Sequence, residues 1–233
     1  MLIAGFPSAL FGTNCYVVAQ GAGEQCLVVD PGIAVLDQLA DVLREHRLRP
    51  AAVLLTHGHL DHTYSVTPVC GAHGVAAYVH RDDRERLVDP LAEFASTGML
   101  AMLEQQFGSP ASWREPDDVV EVGDGASLEV AGLRLDVVHA PGHTEGSVMF
   151  ALPQVPSGAP DEVSRTLLTG DVLFAGSIGR TDLPGGDHAA MERSLRDVVL
   201  PLPDTTLVLP GHGPGTTMAH ERLTNPYLRD LRA

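Results

Sequence analysis

The sequence predicts an α/β protein with two mixed β-sheets packed face to face and helices on the outside. Short apolar runs bounded by Gly, Pro and Asn recur in both halves of the 233 residues, which is typical of strands. Each half also contains apolar residues at helical spacing. With 44% hydrophobic and 19% charged residues, the chain can bury a core, which excludes disordered and fibrous classes. We expect one domain over residues 1–233.

The first half predicts a meander of strands followed by a strand, helix, strand unit. Its apolar runs occupy residues 2–6, 16–19, 26–29 and 51–55. Pro31 and Gly32 turn the chain after the third run. The helix before the fourth run extends to Arg47 and is indicated by the apolar side chains at helical spacing, Ile33, Leu36, Leu39, Ala40 and Leu43.

The second half repeats this order of elements. Strands are predicted near Val119 and at residues 127–130, 133–139, 147–152, 166–169 and 206–209. A helix is predicted over residues 188–199, and the Pro-, Gly- and Ser-rich residues 153–161 predict an exposed loop. Between the halves, the apolar residues from Leu87 to Phe107 have helix-like spacing. We therefore expect a helical excursion at about residues 81–116.

Composition excludes several kinds of partner and chemistry. The formal net charge is −15, which opposes binding to nucleic acid. All 15 basic residues are Arg, so a Schiff-base Lys or a P-loop Lys is impossible. Cys15, Cys26 and Cys70 have no metal-site spacing, and an odd number does not suggest a disulfide framework. Neither a signal peptide nor an apolar run of about 20 residues is found, so we expect a cytoplasmic protein without membrane contact.

A cluster of possible metal ligands follows the strand at residues 51–55. The segment His57-Gly58-His59-Leu60-Asp61-His62 contains four such residues in six positions. Imidazole and carboxylate groups suit zinc, iron and manganese. A turn gains nothing from imidazoles where Gly, Asn or Ser would serve, which favours a metal site over a His-rich turn.

Three later residues also stand at the ends of predicted strands. They are His143 in Pro-Gly-His-Thr, Asp171 in Thr-Gly-Asp, and His212 in Pro-Gly-His-Gly. Each alone is more typical of an ordinary loop. With the first cluster, however, they make five His and two Asp, too many ligands for one tetrahedral ion. Such a set suits two ions that share a carboxylate.

This pattern resembles the metallo-β-lactamase fold superfamily, whose motif His-x-His-x-Asp-His matches residues 57–62. The later His, Asp and His follow in the family's order, and the resemblance covers nearly the whole chain. It implies an αββα sandwich of the metallo-β-lactamase type with the metals at one edge. It also implies a first metal held by His57, His59 and His143, a second held by Asp61, His62 and His212, and Asp171 bridging both.

Within the superfamily, the sequence is similar to glyoxalase II-like hydrolases, in particular to their small, single-domain bacterial members. The similarity lies in residues 142–147 (Gly-His-Thr-Glu-Gly-Ser), 179–182 (Gly-Arg-Thr-Asp), 210–214 (Pro-Gly-His-Gly-Pro) and 221–228. Full-length glyoxalase II continues into a helical domain that helps to hold glutathione. Only residues 213–233 follow His212 here, so we expect that domain to be absent.

The resemblance implies a metal-dependent thioester hydrolase acting on a small molecule. The substrate would be an acyl-thiol such as S-lactoylglutathione, cleaved by attack of a metal-bound hydroxide. Two divalent ions, Zn²⁺ or alternatively Fe or Mn, would lower the pKa of the water and polarise the carbonyl. Asp61 and Asp171 are the implied catalytic residues, and Asp61 would also orient the hydroxide.

Arg180 is a candidate substrate-binding residue. It lies a short loop beyond Asp171, where glyoxalase II places a Lys that contacts the glutathione backbone. A guanidinium can hold a carboxylate through two hydrogen bonds. The alternative is that Arg180 pairs with Asp182 or Asp187 and braces its loop.

Other functions fit the same residues. Persulfide dioxygenases are similar in the Gly-Arg-Thr-Asp stretch but would use one iron, held by His57, His143 and Asp171. β-Lactam hydrolysis is disfavoured, because several lactamase branches replace the bridging Asp. Two further alternatives stay open: a different hydrolase of this fold, and a module that binds metal without catalysing a reaction. Activity toward thioesters, iron content and oxygen consumption on glutathione persulfide discriminate among them.

Overall fold

Two mixed β-sheets form the centre of the molecule in the computed structural model, which describes residues 1–91, 101, 104, 105 and 113–231. The first sheet contains β1 (Leu2–Pro7), β2 (Asn14–Ala19), β3 (Gln25–Val29), β4 (Arg49–Leu54), β5 (Ala77–His80) and β6 (Val119–Val122) in that spatial order. Strands β1 to β3 form an antiparallel meander, and β3 to β6 run parallel.

The second half of the chain contributes β7 (Ser127–Val130), β8 (Leu133–His139), β9 (Val148–Leu152), β10 (Arg165–Gly170), β11 (Leu173–Phe174), β12 (Ser177–Ile178), β13 (Thr206–Pro210) and β14 (Thr216–Thr217). The second sheet has the order β14-β13-β10-β9-β8-β7, and only the β10–β13 pair in it is parallel among the described strands. Strands β11 and β12 form a small separate hairpin.

The helices flank the two sheets. They are α1 (Leu36–His46), α2 (Leu60–Thr63), α3 (Val66–His73), a 3₁₀-helix (Arg81–Leu87), α4 (His188–Ser194) with a π-helical continuation (Leu195–Val199), α5 (Met218–Thr224) and α6 (Pro226–Asp230). Among the described residues, none of these helices has the length and apolarity that a membrane crossing requires.

The order of layers follows from the alternation of side chains along each strand. Between the sheets lie buried apolar side chains of both, including Tyr16, Val18, Leu27, Val29 and Leu54 from the first sheet and Leu135, Val137, Phe150, Leu152 and Leu168 from the second. Strands β2, β3, β9 and β10 are buried on both faces almost throughout, which explains why their sequences are mainly apolar runs.

The intervening strand residues face the helices. In the first sheet, Val17, Val28 and Val53 share a cluster with Leu39 of α1 and Val69 of α3. On the far side, Met149 and Leu167 of the second sheet share a cluster with Met191, Leu195 and Met218. The molecule is therefore layered as helix, sheet, sheet, helix, and the predicted αββα sandwich is confirmed.

Some elements differ from the sequence prediction. The helix α3 was not predicted from sequence; Pro68 lies inside it but occupies the first turn, where its missing N–H costs no hydrogen bond. Strand β5 spans only four residues and ends at His80. Of the predicted helical excursion, Arg81–Leu87 forms a 3₁₀-helix. Residues 92–100, 102–103 and 106–112 of that prediction lie outside the described residues.

Candidate metal centre

The seven predicted ligands lie on loops that follow four strands. His57 to His62 follow β4, His143 follows β8, Asp171 follows β10, and His212 follows β13. Because β4 belongs to the first sheet and the other three strands to the second, the loops meet only where the two sheets are adjacent. A backbone hydrogen bond from Val148 N of β9 to Thr56 O (2.8 Å) crosses between the sheets there, and one from Gly211 N to Gly170 O (2.8 Å) joins two loops of the second sheet.

One group of ligand atoms belongs to His57, His59 and His143. All three side chains are buried, and their candidate ligand atoms lie within 4.8 Å of one another. The His59 Nδ1 and His143 Nε2 atoms are 2.8 Å apart. The ring centroid of His57 lies 4.8 Å from that of His59 and 4.7 Å from that of His143. Three imidazoles thus point nitrogen atoms into one small volume.

A second group belongs to Asp61, His62 and His212. The His212 Nε2 atom lies 3.2 Å from Asp61 Oδ2 and 3.3 Å from His62 Nε2. His62 Nε2 is 3.5 Å from the same Asp61 oxygen. This group is more open than the first, since the side chain of His212 is 30% exposed and that of Asp61 is 24% exposed.

Asp171 lies between the two groups. Its Oδ1 atom is 3.4 Å from His62 Nε2, and its Oδ2 atom is 3.5 Å from His143 Nε2. Oδ2 is also 3.5 Å from His212 Nε2. One carboxylate therefore contacts ligand atoms of both groups, as a bridging ligand must.

The residues fit two divalent cations. The His57 Nε2 atom is buried and has no hydrogen-bond partner among the described residues, which is costly unless a cation binds its lone pair. Gly211 also keeps the space beside the ligands free of a side chain. A Cβ at this position would lie 2.1 Å from Asp171 Oδ1 and 2.8 Å from His62 Cε1. Nitrogen and carboxylate donors suit zinc, iron and manganese alike.

The two groups differ electrostatically. Burial lowers the pKa of His57 well below its ordinary value and, together with His143, lowers the pKa of His59 to about 3. In the second group, burial also acts to lower the pKa of His62, but the Asp61 and Asp171 carboxylates outweigh it and raise that pKa. The first group is therefore neutral at pH 7 and can bind a cation without releasing protons.

Asp30 supports the second group. Its Oδ2 lies 3.0 Å from His62 Nδ1 and accepts a hydrogen bond from Thr56 Oγ1 (2.7 Å), while its Oδ1 accepts one from Thr56 N (2.8 Å). A partner on the far nitrogen fixes the tautomer of a ligand His. The side chain of Asp30 is buried, so it supports the ligand and does not belong to a solvated face.

Thr13 and Asp83 also support the ligands, and sequence analysis missed both. Thr13 donates a hydrogen bond from its hydroxyl to Asp61 Oδ2 (2.7 Å). Asp83 is fully buried and accepts hydrogen bonds from the loops that carry the first group. Neither residue lies in the ligand motif, and no local pattern distinguishes them from ordinary loop residues.

The structure places Arg180 beside the site through its backbone. Its carbonyl oxygen lies 2.8 Å from His143 Nδ1. The guanidinium is exposed and donates two hydrogen bonds to the Asp182 carboxylate, each of 2.7 Å. The predicted alternative of an ion pair with Asp182 is present in this structure, and whether Arg180 binds substrate stays a prediction.

A further His and Asp group lies apart from these ligands. It comprises His80, Asp82 and His139. The His80 and His139 rings stack at 4.2 Å with an angle of 13° between their planes. Imidazole lone pairs lie in the ring plane, so those of two stacked rings lie in separate, nearly parallel planes and do not converge on one ion.

Comparison with known proteins is consistent with this geometry. Residues 9–212 match the metallo-beta-lactamase superfamily. An uncharacterized protein of Mycobacterium tuberculosis (strain ATCC 25618 / H37Rv) is 44% identical over 232 residues, which cover 99% of each chain. The hydroxyacylglutathione hydrolase GloC of Haemophilus influenzae is 32% identical over 228 residues, which cover 98% of each chain.

Two crystal structures are similar over nearly their full length. BLEG-1, a B3 metallo-beta-lactamase, is 34% identical with a TM-score of 0.78, covering 97% of this chain and 99% of that chain. TTHA1623 in a di-iron-bound form is 35% identical with a TM-score of 0.74, covering 97% of this chain and 100% of that chain. The arrangement of elements in this chain is therefore similar to that of a protein with two bound iron ions.

Proposed function

The chain belongs to the metallo-β-lactamase superfamily, and from this membership and the site geometry we propose that it is a metal-dependent thioester hydrolase. The observation that carries the proposal is the convergence of two ligand groups on Asp171. The similarity to a hydroxyacylglutathione hydrolase over 98% of each chain supports a thioester as the bond cleaved. S-Lactoylglutathione is the substrate that we propose to test first.

We assign each ligand to one of two cations. His57, His59 and His143 would hold the first, Asp61, His62 and His212 the second, and Asp171 both. When bound, such cations acidify water toward neutral pH and place positive charge beside the carbonyl oxygen of the substrate. The TTHA1623 structure makes iron as reasonable a candidate as zinc.

The residues around the ligands assist in defined ways. Thr13 donates to Asp61 Oδ2, which leaves Oδ1 of Asp61 as the oxygen not engaged by that hydroxyl. A carboxylate oxygen at this position can accept the proton of an attacking water and orient it. Asp30 keeps Nε2 of His62 directed at the site by engaging its Nδ1.

The cysteines do not support a covalent acyl-enzyme. Burial raises the pKa of Cys26 and of Cys70 to about 12, and burial together with the nearby Asp30 carboxylate raises the pKa of Cys15 well above its ordinary value. Since the thiolate is the nucleophile, these thiols are unreactive near neutral pH. Direct hydrolysis by water is the mechanism consistent with the site.

A second candidate function is β-lactam hydrolysis, which the 34% identity to BLEG-1 favours. Asp171 lies between the two groups, a position that several lactamase branches fill differently, so we rank this activity below thioester hydrolysis. Persulfide dioxygenation by one iron on His57, His143 and Asp171 leaves the second group of ligands without a role.

The decisive experiment is a substrate panel run on metal-analysed protein. It contains S-lactoylglutathione, an acyl-coenzyme A, a chromogenic cephalosporin and glutathione persulfide, the last followed by oxygen consumption. We expect turnover of a thioester with two ions per chain. Turnover of the cephalosporin alone would assign lactamase activity, and oxygen uptake with one iron per chain would assign the dioxygenase.

A further inference from the structure

A carboxylate that touches no proposed metal ligand is buried beside the first group. Asp83 lies in the first turn of the 3₁₀-helix Arg81–Leu87, and its side chain has no exposed area. A buried carboxylate is costly unless several donors surround it. Its neighbour Asp82, by contrast, is 49% exposed, as is usual for a surface helix.

The donors to Asp83 come from separate parts of the chain. Oδ2 accepts hydrogen bonds from Gly58 N (2.8 Å) and from Thr144 Oγ1 (2.7 Å). Oδ1 accepts one from Gly146 N (2.8 Å) and lies 3.4 Å from Arg86 Nε, which compensates its charge. Both oxygens are thus engaged by fixed, buried groups.

These donors flank the ligands of the first group. Gly58 stands between His57 and His59, and Thr144 directly follows His143. The two loops come from different sheets, and Asp83 is bonded to both. The contact is close: a Cβ on Gly146 would lie 2.7 Å from Asp83 Cγ, so a side chain larger than that of Gly does not fit beside the carboxylate.

We infer that Asp83 is the positioning residue of the first metal group, holding the loop of His57 and His59 in register with the loop of His143. It contacts no reacting atom and acts through Gly58, Thr144 and Gly146, which lie in the same loops as the ligands. The inference rests on the metal-dependent function proposed above. Three imidazoles held in place before the ion arrives lose less conformational freedom on binding it, which tightens binding.

The test is metal affinity of the full-length Asp83→Asn variant. Asparagine keeps the shape but replaces one acceptor oxygen with an NH₂ group that faces a donor, and it removes the charge opposite Arg86. Competition of Co²⁺ or Zn²⁺ with a chromogenic chelator gives the Kd of each ion. We expect the Kd of the tighter ion to rise about 10- to 100-fold. The Co²⁺ absorption spectrum should change as well.

Two controls separate positioning from general destabilisation. Asp82→Asn makes the same substitution one residue away at an exposed position and should leave both Kd values unchanged. Leu39→Ala removes a buried side chain of α1 and should lower the Tm without changing the Kd of the tighter ion. A similar loss of affinity in Leu39→Ala would overturn the inference.

Thr144→Val keeps the test decisive if Asp83→Asn does not fold, because it removes one of the same hydrogen bonds with little change of shape. Wild-type Kd values in whichever variant folds would overturn the inference. Affinity readouts do not depend on turnover. A wild-type protein that cleaves no thioester, with Asp83→Asn still weak in metal binding, would refute the proposed function and leave the positioning role standing.

Discussion

A single carboxylate, Asp171, contacts ligand atoms of both groups. Its two oxygens lie 3.4 Å from His62 Nε2 and 3.5 Å from His143 Nε2. A bridging negative charge reduces the repulsion between two dications, which lie about 3.5–4 Å apart in such sites. Removing it leaves six neutral or singly charged donors to hold the same two ions.

Asp171→Ala should therefore lower both metal content and activity. We expect fewer than two ions per chain after dialysis and a loss of turnover of at least about 100-fold. Elemental analysis and kinetics on the same preparation provide the measurement. Asp182→Ala, an exposed carboxylate outside the ligand set, is the control and should keep both ions. Retention of two ions and normal turnover by Asp171→Ala would refute the bridging role.

Arg180 has two parts with different roles. Its carbonyl contacts His143 Nδ1, and its exposed guanidinium pairs with Asp182. Because the contact with His143 is made by the backbone, Arg180→Ala should preserve metal content and kcat. If the guanidinium binds an anionic thiol carrier, KM for a glutathione thioester should rise several-fold, the sign of lost uniform binding.

The Asp182→Ala variant also tests the role of the Arg180 guanidinium, because it removes the carboxylate with which this guanidinium pairs. It frees the guanidinium for substrate without removing it, so KM should stay equal or fall. Should Arg180→Ala leave KM unmoved, the guanidinium only braces its loop. A collapse of metal content in Arg180→Ala would instead mean that the side chain holds the backbone in place.

At the scale of elements, the loop after β13 must approach the site very closely. Gly211 lies beside Asp171 and His62, and its backbone carbonyl accepts a hydrogen bond from Asn14 N (2.7 Å). His212 follows directly and forms an isolated β-bridge with Thr13. The loop therefore has little freedom to move away from an added side chain.

Gly211→Ala should displace Asp171 or His62 and reduce metal binding, because the new Cβ would lie 2.1 Å from Asp171 Oδ1. Gly215→Ala is the matched control, since a Cβ there meets its nearest atoms at an ordinary 3.4 Å. We expect loss of metal from Gly211→Ala only, measured by elemental analysis with circular dichroism to check folding. Equal metal content in the two variants would contradict this packing.

At the scale of the whole molecule, the site joins the two sheets. Ligands from the loop after β4 of the first sheet meet ligands from loops of the second, so bound ions act as cross-links in the folded state. Each ion that binds the folded state alone stabilises it by about 2.7 kcal/mol at a free concentration 100 times its Kd. For a chain of this size that is roughly 5–10 °C in Tm for each ion.

Removal of metal by a chelator should lower the Tm by this amount for each ion lost, and added Zn²⁺ or Mn²⁺ should restore it. Differential scanning calorimetry on metal-loaded, stripped and reloaded protein provides the measurement. The shift should be smaller for Asp171→Ala, which binds fewer ions. Identical Tm values for loaded and stripped wild type would show that the ions contribute nothing to stability.

The positions of most strands, and the kinds of residue that form the site, were predictable from sequence because they depend on local pattern. Strand β9 is a short apolar run, strand β8 begins with alternating apolar and charged residues, and the bounds of both were predicted to within a residue or two. The sequence of residues 57–62 predicted metal ligands, because three imidazoles within six residues have little use except as ligands. The short strand β5 and the helix α3 lacked such a pattern.

Contacts between distant parts of the chain were decided by the tertiary structure. Local sequence does not distinguish the supporting residues from ordinary polar residues. Only folding brings Asp83, Thr13 and Asp30 within hydrogen-bond distance of the site. Folding likewise brings the seven predicted ligand residues together around Asp171, in groups that overlap at His57 and His62. The physical reason is that local pattern reports which faces are buried, whereas the partner of a buried carboxylate depends on which loops two packed sheets bring together.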